Sequence, residues 1–288
     1  METWIIWALI SALVGWFYAF NFKMIAQRNY DTYVATFLWY VVACFISLTV
    51  VLFQVWFPEL DTILLIIGAL GFANILFYTL SIVSRVEAMR NIDSVIFFPL
   101  YKTFWPIMVT FISFYGFKEW LSWRDMLWIL AWICVPLMLI TSTENKRQKN
   151  LYVWVMLVII TAVLTSVSSV IPKYIQVQSF DYNVFIFFSF FFWIFFSAIW
   201  YFFHKKKTKR TYDTHWVVKF GLLTWIIHYM AFYAFMRAME WNLAIAFTIN
   251  SFSILVPIIL SIIFYWEHFN LKKGIVIALS IISILLFI

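Results

Sequence analysis

Residues 91–119, NIDSVIFFPLYKTFWPIMVTFISFYGFKE, decide the fold of this chain, because they carry a lysine inside an otherwise lipid-compatible run. Lys102 lies near the centre of that run, about 15 Å from its ends at 1.5 Å per residue. A charge at mid-bilayer costs roughly 2.5 to 3.5 kcal/mol on insertion scales and therefore faces a polar cavity or a partner rather than lipid. Pro99 and Pro106 stand three residues before and four after it, which sets all three on one helical face. Each proline lacks an N–H and frees a carbonyl one turn back, at Val95 and at Lys102, so the helix is expected to hinge there. The competing reading is a snorkelling lysine on a kinked structural helix.

Composition gives the wider frame. An apolar share of 65% with 11% charged residues is far from the balance of soluble domains. The 288 residues divide into apolar runs at 4–22, 33–57, 62–84, 92–117, 123–143, 151–171, 183–203, 216–236, 243–266 and 271–288. Each is long enough to span a hydrocarbon core of about 30 Å. The expected fold is thus all-α and polytopic, with ten transmembrane helices. Cys44 and Cys134 fall inside apolar runs and are read as small hydrophobes, not as a disulfide framework. The first run lacks a basic leader and a small-residue cleavage site, and is kept as a span.

The basic loop 144–150 divides the chain into residues 1–143 and 151–288, and these halves resemble each other at an offset of 150. Lys23 matches Lys173, Asp31 matches Asp181, and Ala88-Met89 matches Ala238-Met239. Asn74 and Tyr78 match Thr224 and His228; shifted by one residue, Pro99, Lys102 and Pro106 match Asn250, Ser253 and Pro257. Five spans per half is an odd number, so the second copy enters the membrane upside down. Inverted repeats of this kind are typical of secondary transporters, which bind substrate near the midplane between the copies.

The candidate substrate-binding residues are Lys102, Asn74, Tyr78, Tyr101, Trp105, Thr224, His228, Asn250, Ser253 and Tyr18, with Pro99, Pro106 and Pro257 as hinges. Ser11, Thr165 and Ser168 extend the lining from spans 1 and 6, whereas spans 2, 5, 7 and 10 lack such stripes, and spans 7 and 10 read as walls facing lipid or a partner. A structural alternative exists for each Ser, Thr and Asn, since these residues also link membrane helices by hydrogen bonds. Glu87, Asp93, Glu119, Glu240 and Glu267 all sit near span ends, so the cavity is expected to be positive or neutral and to suit an anionic or zwitterionic solute.

Loop charge sets an expected orientation. Fifteen Lys and Arg residues fall on one side and four, Lys118, Arg124, Lys173 and Arg237, on the other. The positive-inside rule then places both termini outside the cytoplasm of a cell-membrane protein. The net charge of +7 is read as orientation rather than nucleic-acid binding. No P-loop, nucleophile elbow or metal-ligand spacing appears, so neither an enzyme nor a cofactor or metal is expected.

The ten spans, the AM dipeptides at 88 and 238, and the run from Pro106 into Lys118-Glu119-Trp120-Leu121-Ser122 resemble the EamA group of the drug/metabolite transporter superfamily. Glu267 in YWEHFNLKKG looks like the second copy of that glutamate, although Pro257 stands only ten residues before it. The resemblance implies export or exchange of small metabolites, such as amino acids, by alternating access through a cavity between spans 1, 3, 4, 6, 8 and 9. Its ten-helix members commonly keep both termini in the cytoplasm, opposite to the loop-charge reading. Expected partners are a small metabolite, the lipid bilayer, a coupling proton or exchanged solute, and as a further option a second copy in a homodimer. Two other functions compete: a proton-coupled exporter of lipophilic compounds, with His228 as its titrating group, and a membrane scaffold that transports nothing.

Overall fold

The computed structural model describes residues 3–27, 32–54, 61–91, 94–123, 126–127, 129, 151–205, 226–227, 229–240 and 242–251. Among them the regular elements are helices: α1 (Thr3–Gln27), α2 (Thr32–Gln54), α3 (Thr62–Asn91), α4 (Ser94–Gly116), α5 (Leu151–Val177), α6 (Tyr182–Lys205) and α7 (Leu243–Ser251). Residues 229–238 are also helical. Most of span 5, all of span 10, the first part of span 8, the last part of span 9, Thr224, His228, Ser253, Pro257 and Glu267 lie outside the described residues, as do the side chains of Tyr18, Pro99 and Lys102.

Local chemistry fixes the helix ends. Asp61 Oδ1 accepts the Leu64 N–H at 2.8 Å and starts α3; Asn242 Oδ1 accepts the Ile245 N–H at 3.1 Å and starts α7. Such caps satisfy N–H groups that the first helical turn leaves without partners. The turn from α5 to α6 is built the same way from both sides. Ser179 adopts a left-handed φ of 56°, its N–H reaches Gln176 O at 2.9 Å, and the Phe180 N–H reaches Ile175 O at 3.0 Å, which closes α5 in a Schellman motif. Asp181 follows and caps α6 through the N–H groups of Asn183 and Val184 at 2.8 and 3.1 Å.

Among the described residues, three stretches, Thr62–Met89, Tyr152–Val177 and Tyr182–Ile199, are long and apolar enough to cross a membrane. Only 33%, 33% and 39% of their most apolar windows are buried inside the protein. Phe45, Leu65, Phe111 and Phe195 accordingly point outward from apolar helices. So much outward-facing apolar surface is what a bilayer-embedded protein needs, and a water-soluble monomer of this size would not carry it. The chain is a helical membrane protein.

Inside, α5 packs on α3 and α4, α6 packs on α2 and α3, and α7 packs on α4 and α1. Contacts from residues 151–251 back to residues 3–116 therefore hold the described helices together. Close approach is specified at Gly71: a Cβ there would meet Phe188 Cβ at 2.9 Å and Ser189 N at 3.1 Å, so α3 and α6 touch backbone to backbone.

Two expectations need correction. Span 3 does not end at 84: α3 continues to Asn91 and carries Arg85 into the protein at 7% exposure. Span 7 is not only a wall facing lipid or a partner. Its helix, α6, buries Phe185, Ser189, Phe190 and Trp193, with Trp193 stacked on Tyr40 at 4.0 Å and edge-on to Tyr78 at 5.4 Å. The face that turns inward is as apolar as the one that turns outward, so periodicity could not separate them. Cys44 is buried and free, in keeping with a small hydrophobe.

Candidate functional site

Polar side chains that cannot face lipid collect around one cavity of about 140 Å³. This is close to the ~150 Å³ of an apolar protein cavity that holds one benzene. Its wall takes Ser11 and Gly15 from α1, Asn74, Tyr78 and Arg85 from α3, Tyr101 and Trp105 from α4, Thr165 and Ser168 from α5, and Asn250 from α7. Ala231 and Phe235 come from the 229–238 helix. Tyr40 of α2 and Ser189 of α6 add two helices that the sequence pattern had left out.

The wall is stitched across the two halves of the chain by hydrogen bonds. The Ser168 hydroxyl donates to Asn74 Oδ1. Asn250 Nδ2 donates to Ser11 Oγ at 2.9 Å, and Ser11 Oγ donates onward to the Ala231 carbonyl at 3.1 Å. Arg85 Nη2 donates to the Tyr101 hydroxyl at 2.6 Å and reaches Thr165 Oγ1 at 3.5 Å. The Thr165 hydroxyl in turn donates to Thr161 O at 2.7 Å, so its oxygen is turned toward the guanidinium as an acceptor. Helical side chains lean toward the N-terminus, which swings the long Arg85 stem from the last turns of α3 back toward mid-membrane. Its guanidinium carbon lies 4.6 Å from the centre of the Tyr101 ring, within cation–π range. Tyr101 is held from the other side by Phe97 and Trp105, stacked at 5.8 and 5.5 Å, and Trp105 meets the edge of Phe247 at 4.8 Å.

Of the residues expected at the site, Asn74, Tyr78, Tyr101, Trp105 and Asn250 converge on this cavity. Lys102 and Tyr18 have their backbones in α4 and α1. Pro99 and Pro106 are helical positions of α4, and Pro106 is buried. Arg85, Tyr40, Ser189 and Pro172 were missed. Pro172 lies inside α5 and lines the cavity together with Ser168, whose carbonyl it deprives of an N–H partner.

Next to Pro172 in sequence, Lys173 belongs to a second polar cluster. Lys173 Nζ lies 2.7 Å from Glu119 Oε1 and donates to the Met239 carbonyl at 2.8 Å. Glu119 Oε2 accepts the Leu243 N–H at 2.9 Å, at the start of α7, and the Ser113 hydroxyl from α4. The backbone bends to deliver this carboxylate: Lys118 has a left-handed φ of 53°, and the Glu119 N–H returns to Ser113 O at 3.3 Å. One carboxylate thus ties the ends of α4 and α5 to the start of α7.

The fold is similar to that of a solved structure described as "Crystal structure of protein", with a TM-score of 0.73 at 14% identity. That similarity covers 98% of this chain and 96% of the other, and at such low identity it shows the fold alone. No curated protein matches the sequence. Residues 152–288, which supply α5, α6, α7 and the helix at 229–238, match the EamA-like transporter family model. The match spans 137 of the 288 residues, just under half of the chain, and over that stretch the sequence is similar to the EamA-like transporter family.

Proposed function

We propose that the protein is a secondary transporter moving a small polar, zwitterionic or anionic metabolite, such as an amino acid, across the cell membrane by alternating access. One observation carries the reading: a small, largely apolar cavity walled by both halves of the chain, with its polar side chains stitched between them by the Asn74–Ser168, Arg85–Thr165 and Ser11–Asn250 contacts. Walls from opposite halves that meet through single hydrogen bonds can part without unfolding either helix. The EamA match over residues 152–288 and the fold similarity over nearly the whole chain support this reading.

The proposed architecture is ten transmembrane helices in two inverted five-helix repeats, 1–143 and 151–288, joined by loop 144–150. Asn74, Tyr78, Tyr101, Trp105 and Asn250 contact the ligand, with Tyr18, Lys102, Thr224, His228 and Ser253 completing the set, and Pro99, Pro106 and Pro257 permit bending. A proton or an exchanged solute drives the cycle. Both termini face outward: moving Arg85 into α3 and Lys173 into its ion pair leaves loop charges of 14 against 3, the same bias.

Counterflow in proteoliposomes tests the reading. Purified protein preloaded with a metabolite mixture is expected to accumulate labelled solute transiently and saturably. A scaffold would give no flux above empty vesicles with any solute tested.

A further inference from the structure

Helices α3 and α6 run side by side past the cavity, and two contacts fix their register. A Cβ at Gly71 would lie 3.1 Å from Ser189 N, and seven residues further along α3 the Tyr78 ring meets Trp193, four residues beyond Ser189. Asn74 stands between these two contacts, one turn and about 4.5 Å of rise from Gly71. Ser189 and Asn74 both line the cavity, together with Ile75, Tyr78, Phe190 and the Tyr40 ring that packs on Phe190 at 5.6 Å. The two polar side chains therefore serve one small volume between α3 and α6.

Each of them has hydrogen-bonding capacity to spare. Ser189 is 1% exposed, and its Oγ has no hydrogen-bond partner among the described residues. A serine or threonine on a helix readily donates to the carbonyl four residues back, as Thr161, Thr165, Ser166 and Ser169 do on α5. Ser189 does not, and a buried hydroxyl without a partner loses free energy that a ligand can restore. Asn74 accepts the Ser168 hydroxyl at Oδ1, which leaves the N–H groups of its Nδ2 for another partner. The pair thus offers donors from both residues and lone pairs on the serine oxygen. An alkyl group placed there leaves all of these idle, whereas a group that both accepts and donates engages both residues.

We propose that Ser189 and Asn74 form the specificity subsite of the cavity, and that the solute places a hydroxyl or a carboxamide there, on a small body flanked by Tyr40, Tyr78 and Phe190. This narrows the substrate class within the transport reading above and rests on it. The solute's oxygen accepts from Asn74 Nδ2, and its hydroxyl or amide proton goes to Ser189 Oγ. A site built to hydrogen-bond a polar group discriminates against the apolar isostere, because its own polar atoms are then buried unpaired. The cavity volume, that of about one aromatic ring, keeps the solute small.

Isosteric probes test this with the wild-type protein. Threonine and valine match in shape, as do asparagine and leucine, and each pair differs only in hydrogen-bonding atoms. The pairs 3-hydroxybutyrate with 3-methylbutyrate, and succinamate with 4-methylpentanoate, repeat both comparisons without the ammonium. Proteoliposome counterflow and melting-point shifts are expected to favour the polar member of at least one pair by at least tenfold. Ser189→Ala is expected to lower that preference by about tenfold, the effect of one hydrogen bond. It is also expected to leave the ligand-free melting temperature unchanged or raised, because the hydroxyl it removes bonds none of the described residues. Asn74→Leu, which keeps the shape and removes the donor, is expected to abolish the preference; should its lost Ser168 contact prevent folding, Ser189→Ala decides alone. Apolar members carried as well as their polar counterparts, or an undiminished preference in Ser189→Ala, overturn the proposal and leave the transport reading intact. So does a response to none of these pairs while another solute is carried. Absence of flux for every solute removes the transport reading itself.

Discussion

Lys173 and Glu119, 54 positions apart in the sequence, lie 2.7 Å from each other with side chains only 7% and 13% exposed. Each has further duties: Lys173 donates to Met239 O, and Glu119 accepts from Ser113 and from the first turn of α7. Removing one member of a buried pair strands the other, which typically costs about 3–5 kcal/mol. Lys173→Met and Glu119→Gln are each expected to lower stability on that scale. The double variant is expected to recover much of the loss, because no charge is then stranded. Unfolding of all four proteins in detergent gives the coupling directly; losses that simply add would show that the pair is not coupled.

Gly71 and Gly68 make a sharper packing prediction, because they lie one turn apart on α3 and face the same partner. A Cβ at Gly71 meets Phe188 Cβ at 2.9 Å and backbone beyond it, whereas at Gly68 the nearest atom is a Phe188 ring carbon at 3.9 Å. Gly71→Ala is expected to destabilise by about 1–3 kcal/mol through overpacking. Gly68→Ala is expected to be neutral or slightly stabilising, since alanine favours helix over glycine by up to about 1 kcal/mol. Melting of the two variants side by side decides it, and equal losses would contradict the backbone contact.

At the α5–α6 turn, Ser179 carries the left-handed conformation that glycine adopts without strain. Ser179→Gly is expected to raise stability by up to about 1 kcal/mol. Asp181→Ala removes the cap of α6 and is expected to cost about 1 kcal/mol. Opposite signs from neighbouring positions are the check, again by thermal unfolding.

Much of this was legible in the sequence because lipid makes polar residues conspicuous. Asn74, Ser11, Thr165 and Ser168 stand out in apolar runs, and they do converge. Arg85 escaped for a related reason: the hydropathy of span 3 falls at its charged end, so the residue reads as a loop cation, although its stem carries the guanidinium back into the protein. Ser189 and Tyr40 escaped because their helices are uniformly aromatic and show no stripe. The Lys173–Glu119 pair is a tertiary fact, formed by residues that each sit at a span end and have no local signal. The EamA resemblance was carried by the spacing from Pro106 to Glu119, and it is that glutamate which proves to join α4, α5 and α7.

The central claim is that solute passes through the cavity between the two halves, and Gly15 offers the most direct test. It lines the cavity from α1, and a Cβ added there meets none of the described residues within 4 Å. Gly15→Phe should therefore fill the passage without disturbing the helix, which gains propensity on losing a glycine. The expected result is a melting temperature equal to or above that of the wild type, with proteoliposome counterflow reduced to the level of empty vesicles. Undiminished flux through a stable, folded Gly15→Phe protein would contradict the account.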